Sequence, residues 1–158
     1  MRGWLVVTAA LAGCGQTPTS DWERQQEGKL PPEAAAPLPP YPPRGELLGF
    51  SVAASREFRF FIDAGSLSVG SDGVVRYVLI ARSDSGVDNV SFEGMRCASG
   101  EVRIYAVGRD GRWSGQPGAW RPIQLGVQRW HDALYREYFC RQRQAVRDAK
   151  EGIDALRN

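Results

Sequence analysis

The stretch that decides the fold is Val74-Val75-Arg76-Tyr77-Val78-Leu79-Ile80-Ala81, in the middle of a chain of 158 residues. It is dense in β-branched and aromatic residues, which favour strands. Weaker segments of the same character lie on both sides of it: Leu47–Val52, Arg59–Ile62, Asn89–Cys97 and Glu101–Gly108. Short glycine turns such as Ser85-Gly86 and Ser99-Gly100 separate them, and short links join antiparallel neighbours. We therefore expect an antiparallel meander of four to five strands.

A helical spacing of apolar residues follows the strands. Val127, Trp130, Leu134 and Tyr138 recur at intervals of three or four residues, which places them on one side of a helix. Such a stripe is wide enough to pack on one face of the sheet. The fold class is then α+β, with a single globular domain over residues 46–142.

Residues 143–158 are rich in charged side chains and form the end of the sequence given. Val146, Ala149, Ile153 and Leu156 follow a 3–4–3 spacing that can prolong the helix or offer a narrow seam to a partner. Gly152 interrupts this short stripe, and glycine weakens a helix. We expect a solvated tail.

The first 14 residues have the organisation of a lipoprotein signal peptide. Arg2 precedes a short apolar run, and the run ends in Leu11-Ala12-Gly13-Cys14. The pattern predicts cleavage after residue 13 and lipidation of Cys14, and acyl chains of this kind anchor a protein on a membrane. An ordinary secretory signal with an incidental cysteine is the alternative. Gly15 leaves sorting to the outer membrane open, so we expect the periplasmic side of the outer rather than the inner membrane.

Residues 14–45 show no apolar periodicity, and seven prolines lie between Pro31 and Pro43. Proline disfavours helix interiors and central strands and favours extended chain. We expect a tether that holds the domain away from the membrane, and within it Asp21–Lys29 leaves a short helix open. A proline-rich ligand for the groove of a partner is the alternative.

Composition excludes several function classes. The formal net charge of +2 gives no support to nucleic-acid binding, and no apolar run approaches the roughly 20 residues of a spanning helix. The membrane is therefore expected as a partner only through the lipid, with another envelope protein or a glycan as a further candidate.

Three cysteines are present, and acylation of Cys14 leaves Cys97 and Cys140. An oxidising compartment and an even count favour a disulfide that joins the end of a strand to the end of the helix. Zinc bound by Cys97, His131 and Cys140 is the alternative, but the spacing lacks paired ligands and a fourth donor. We expect no metal and no cofactor.

No catalytic set stands out in the sequence. His131 is the only histidine, and no nucleophile motif accompanies it. Carboxylates are scattered along the chain, and no spacing selects a pair of the kind that a glycosidase uses. We expect the protein not to be an enzyme.

Aromatic and basic residues are concentrated in one region of the chain. Such residues suit a sugar ring or an anionic group and are common at interfaces. The candidate binding residues are Trp113, Trp120, Arg121, His131 and Tyr135. The alternative is that the tryptophans seal the junction between helix and sheet.

Several runs of sequence together resemble a known family. They are Ser68-Val69-Gly70, Asp72-Gly73-Val74-Val75-Arg76-Tyr77, Asn89-Val90-Ser91-Phe92-Glu93-Gly94-Met95-Arg96-Cys97, Trp120-Arg121-Pro122-Ile123, and His131 with Tyr138-Phe139-Cys140. The chain resembles the family named after a cryptic neisserial protein, found as exported proteins in betaproteobacteria. The resemblance covers about Leu47 to Cys140. It implies an envelope protein of a Gram-negative bacterium and assigns no catalytic residue.

Two functions remain in competition. The first is a non-enzymatic binding or assembly module anchored in the cell envelope. The second is a periplasmic enzyme, or an accessory to one, that acts on cell-wall or surface glycan. A carboxylate pair in a deep cleft favours the second, and an aromatic patch without such a pair favours the first.

Overall fold

The computed structural model describes residues 30–41, 43–124 and 129–158. The predicted lipidation site Cys14 and the predicted helix at Asp21–Lys29 lie outside the described residues, as does Val127. Within the described ranges, no helix is long and apolar enough to cross a membrane.

The described chain forms one antiparallel sheet of eight strands. They are β1 Leu47–Phe50, β2 Phe58–Asp63, β3 Ser68–Val69, β4 Val74–Ser83, β5 Asp88–Arg96, β6 Glu101–Arg109, β7 Arg112–Ser114 and β8 Arg121–Pro122. The order is β1-β2-β4-β5-β6-β7, with β3 beside β4 and β8 beside β6. The five expected strands are all present. The predicted count of four to five was too low because β3, β7 and β8 have only two or three residues each and carry no alternating pattern.

The two faces of the sheet bury different sets of side chains. Val75, Tyr77 and Leu79 of β4 point to the face that carries the helices, where they join the larger core cluster. Val78 and Ile80 point to the opposite face and pack with Phe92 and Tyr105 in a second cluster. β4 is therefore buried on both sides, which explains why it reads as a continuous apolar run.

A helix covers the first of these faces, as expected. It begins as α1, Arg129–Ala133, and continues with wider π-helical turns over Leu134–Phe139. Leu134 and Phe139 are fully buried, and the Phe139 ring lies 5.3 Å from that of Tyr77. A disulfide joins Cys97, directly after β5, to Cys140, directly after the helix. It therefore connects the helix to the sheet, and the zinc alternative for these cysteines does not apply.

The C-terminal residues do not form the solvated tail that the sequence analysis expected. Ala149–Arg157 is a second helix, α2, and Leu156 on it is buried in the main core. The Asp148 side chain caps its first turn by accepting a hydrogen bond from the Glu151 amide at 2.8 Å. Gly152 does not break the helix: a Cβ there would lie 2.7 Å from Leu67 Cδ2, so glycine permits the close approach of helix and core.

The proline-rich segment is also not a free spacer throughout. Residues 30–41, here called the strap, lie across the second face of the sheet without forming helix or strand. The Ala34 amide donates to Asp72 at 2.7 Å, and Arg76 of β4 donates to the Ala34 carbonyl at 3.0 Å. At the far end, the Trp113 indole donates to the Pro39 carbonyl at 2.7 Å. The part of the expected 14–45 tether that the structure describes thus belongs to the domain, because polar contacts hold it there.

Candidate binding cleft

A cleft of about 550 Å³ opens on the helical face, beside α1. Its volume lies within the range of small-molecule sites in proteins, roughly 300–1,000 Å³. Its lining is mostly apolar and aromatic, with a few polar groups. The lining residues are Phe58, Phe60, Leu79, Ala81, Asn89, Val90, Ser91, Glu93, Ile104, Val107, Gly108, Arg109, Trp130 and His131.

A β-bulge in β6 sets the shape of the cleft wall. Phe92 of β5 pairs with Ala106, whereas the next residue, Glu93, pairs with Ile104, so Tyr105 is the extra residue. Strict alternation would turn Ile104 and Val107 to opposite faces of the sheet. The bulge brings both onto the cleft side and leaves Tyr105 on the strap face, which is a known way in which bulges re-aim side chains.

Aromatic rings form one wall of the cleft. Phe60 of β2 stacks on Trp130 of α1, with ring centroids 5.5 Å apart and planes inclined by 18°. Phe58 continues this row at 6.4 Å from Phe60. Phe58 is 36% exposed and Ile104 is 42% exposed, and both lie in the lining of the same cleft. The cleft therefore presents apolar surface to solvent that folding alone does not require.

A buried acid and imidazole lie in the floor of the cleft. Glu93 Oε2 lies 2.7 Å from His131 Nε2, and the Ser91 hydroxyl donates to the other oxygen, Oε1, at 2.6 Å. Both Glu93 and His131 are 2% exposed. Burial, and next the nearby Glu93 carboxylate, raise the pKa of the Tyr77 phenol beneath them, so this phenol remains neutral. These partners fix the polar end of the cleft in one geometry.

This arrangement differs from a nucleophilic triad. In a serine hydrolase the serine bonds to the imidazole that removes its proton. Here the Ser91 hydroxyl bonds to the carboxylate, and the imidazole lies on the opposite oxygen. Within the described ranges no group of three or more His, Cys, Asp or Glu residues is placed to hold a metal ion. The polar floor can orient a ligand by hydrogen bonding.

The five residues predicted to form one binding face are not brought together. His131 lines the cleft, whereas Trp113 and Trp120 lie on the strap face. Tyr135 donates to the Cys97 carbonyl at 3.0 Å beside the disulfide, and Arg121 is exposed in β8. Trp120 is 7% exposed and lies under the Arg96 guanidinium at 4.1 Å on the strap face, so it does not seal the junction between helix and sheet.

The sequence analysis missed the wall residues Phe58, Phe60 and Ile104. Phe58 and Phe60 are two residues apart in a strand and therefore face the same side, which was a usable signal. Ile104 is likewise two residues from Val102, so alternation along β6 turns both to the helical face, and the bulge matters for Val107 instead.

Comparison with known proteins gives one family. The model of the CNP1-like family matches residues 26–157. The chain is also 31% identical over 162 residues to "Cryptic neisserial protein 1" from Neisseria gonorrhoeae, a match that covers 85% of this chain and 79% of that protein. No solved structure gives a significant match.

Proposed function

We propose that this chain, which belongs to the CNP1-like family, is a cell-envelope lipoprotein that binds an amphiphilic small molecule in the helical-face cleft without chemical turnover. The observation that carries the proposal is the cleft itself, in which exposed Phe58 and Ile104 stand above a buried Glu93–His131 pair. Concave apolar sites with a few fixed polar groups are typical of ligand pockets.

The chemistry of the lining suggests the class of ligand. Phe58, Trp130 and Ile104 suit an aliphatic or aromatic body. Arg109 and Asn89 are exposed lining residues, and Arg109 gives the rim a positive charge. An apolar molecule with one anionic end matches both features, since a guanidinium binds carboxylate, sulfonate or phosphate groups well.

The enzymatic alternative receives less support from the cleft. A glycosidase needs two carboxyl groups across the scissile bond. Among the described residues the cleft lining includes one, Glu93, and both of its oxygens are already engaged by Ser91 and His131. Binding is therefore the better-supported of the two functions.

The location rests on Leu11-Ala12-Gly13-Cys14, which lies outside the described residues. We propose a lipid anchor at Cys14 on the periplasmic side of the outer membrane. Cys14→Ser is expected to abolish incorporation of labelled palmitate and to release the protein from the membrane fraction. If this variant remained associated with the membrane, the lipid anchor would be contradicted. The proposal that the cleft binds a ligand would be unaffected.

Binding is tested with two fluorescent probes on the Cys14→Ser chain from residue 14, which retains every described contact. Anilinonaphthalene sulfonate is anionic, and N-phenyl-naphthylamine is its uncharged counterpart. Ile104→Ser is expected to weaken both probes about tenfold, since the lost apolar contact is worth about 1.4 kcal/mol. Val87→Ser is the matched control, because Val87 is 60% exposed and lies outside the cleft.

Arg109→Ala distinguishes the contribution of the anionic group of the proposed ligand from that of its apolar body. It is expected to weaken the anionic probe and leave the uncharged probe unchanged. Equal binding of both probes by the parent protein, Ile104→Ser and Val87→Ser would overturn the proposal.

A further inference from the structure

The strap is held on the domain in the way that a peptide ligand is held on its receptor. None of residues 30–41 is fully buried, and Leu38 is 54% exposed. The sheet beneath, by contrast, presents the buried cluster of Val78, Ile80, Phe92 and Tyr105. Ala36 is the strap residue that packs against this cluster. The strap therefore lies on the surface and contributes little to the core.

Its first attachment is the Glu33 carboxylate. This carboxylate accepts hydrogen bonds from Arg103 at 2.5 Å, Tyr105 at 2.6 Å and the Trp120 indole at 3.0 Å. Arg76 and Arg96 each lie 3.9 Å from it. Together these groups make a receptor site for one carboxylate, built entirely from β4, β5, β6 and the segment before β8.

The second attachment, at Trp113, holds a backbone carbonyl and an aromatic ring of the strap. The Trp113 indole donates to the Pro39 carbonyl, and its ring meets the Tyr41 ring edge-on at 4.9 Å. Gly108 of β6 makes room for Tyr41, because a Cβ there would lie 2.5 Å from its ring. Grooves lined by aromatic residues that bond to carbonyls of extended proline-rich chain are a recurring mode of peptide recognition.

The middle of the strap fills its groove incompletely. A cavity of about 410 Å³ remains between strap and sheet, lined by Glu33, Ala36, Leu38, Arg103, Tyr105 and Trp113, with neighbours from residues 114–117. Ala36 is too small to fill it. A segment with a larger apolar side chain at this point would bury more surface.

We propose that this groove is a recognition site for an extended proline-rich peptide with one glutamate, which the strap occupies in cis and a partner protein carrying such a segment occupies in trans. The groove recognises a carboxylate, a backbone carbonyl and an extended proline-rich backbone. A peptide from another protein can present the same groups. The inference concerns the face opposite the cleft and does not depend on the proposed function.

The strap of the same chain competes with any partner peptide for the groove. Only residues 42–46 separate the strap from β1, so the effective concentration of the strap is of millimolar order. A partner must therefore bind tightly enough to displace the strap. A side chain that fills the cavity beside Ala36 would give the partner more buried apolar contact than the strap has. We expect a peptide in which Ala36 is replaced by leucine to bind more tightly than the strap's own sequence.

The experiment uses the folded chain with a sequence-specific protease site inserted between Pro43 and Arg44. Cleavage converts the strap from a tethered segment to a ligand that can leave. A fluorescein-labelled peptide of residues 30–41 is then added, and binding is followed by fluorescence anisotropy before and after cleavage. Release of the original strap is followed by mass spectrometry, and folding by circular dichroism.

We expect saturable binding that rises at least tenfold in affinity after cleavage. Unlabelled peptide is expected to compete, the Ala36→Leu peptide to compete better, and the Glu33→Gln peptide to compete at least tenfold worse. A scrambled peptide is the control. The proposal is overturned if the cleaved protein unfolds when the strap leaves, if the strap never exchanges, or if the scrambled and Glu33→Gln peptides compete as well as the native one.

Discussion

The Glu33 carboxylate accepts a hydrogen bond from the Tyr105 hydroxyl at 2.6 Å, although the two residues are 72 positions apart in the sequence. Tyr105 is the extra residue of the bulge in β6, and it faces the strap together with the next residue, Ala106. Alternation resumes one residue later, which returns Val107 to the cleft side beside Ile104. One irregularity in one strand therefore affects both the strap face and the cleft.

Replacement of Glu33 by alanine should destabilise the domain by about 2 kcal/mol, because it leaves Arg103 and two buried donors without their acceptor. The change is measured as a shift in the urea midpoint. Glu57→Ala is the matched control, since the Glu57 side chain is exposed and lies outside the strap groove. Equal midpoints for the two variants would contradict this role of Glu33.

The strap contacts predict a loss of stability in acid. Burial raises the pKa of the Glu33 carboxyl, but hydrogen bonds from Tyr105 and Trp120 and the charge of Arg103 outweigh it and hold the pKa below its ordinary 4.5. For Asp72, burial likewise opposes bonds from Arg76 and the Ala34 amide, and the pKa again stays below its ordinary 3.8.

A carboxyl whose pKa is lower in the folded state stabilises that state above its unfolded pKa, and the contribution disappears as the pH falls. The free energy of unfolding should therefore fall as the pH drops from about 5 through 4.5 and 3.8. Glu33→Gln should show a smaller decrease over the same interval. A variant that loses as much stability as the parent protein would show that other carboxyls cause the acid sensitivity.

The Cys97–Cys140 disulfide should contribute about 4 kcal/mol, because its partners are 43 residues apart and the bond restricts the unfolded chain. The double replacement Cys97→Ala with Cys140→Ala is compared with the Cys14→Ser chain by chemical denaturation. Free-thiol labelling of the unreduced Cys14→Ser chain should detect neither cysteine. Full labelling of both would show that the bond does not form.

The sequence predicted the five main strands because alternation and glycine turns are local signals. It did not predict the strap, because proline-rich chain has no apolar period and its contacts are made with residues far along the sequence, such as Trp120. The second helix was misjudged for a different reason. Gly152 weakens an isolated helix, yet here it permits contact with Leu67, and the Asp148 side chain caps the first turn.

The packing of α2 gives a further prediction. Leu156 is 7% exposed in the main core, so Leu156→Ala should cost about 3 kcal/mol. Lys150→Ala on the same helix should leave the melting temperature nearly unchanged, because its pair with Asp154 is exposed to solvent. If both variants melt like the parent protein, α2 does not pack on the core in solution.

The most direct measurement is mass spectrometry under non-denaturing conditions on the protein extracted from the cell envelope. The parent protein and Val87→Ser should each carry an additional small molecule, apolar with one anionic group, and Ile104→Ser should be recovered largely without it. Recovery of all three proteins at the bare mass, or retention of the same molecule by Ile104→Ser, would contradict the assignment of the cleft as the binding site.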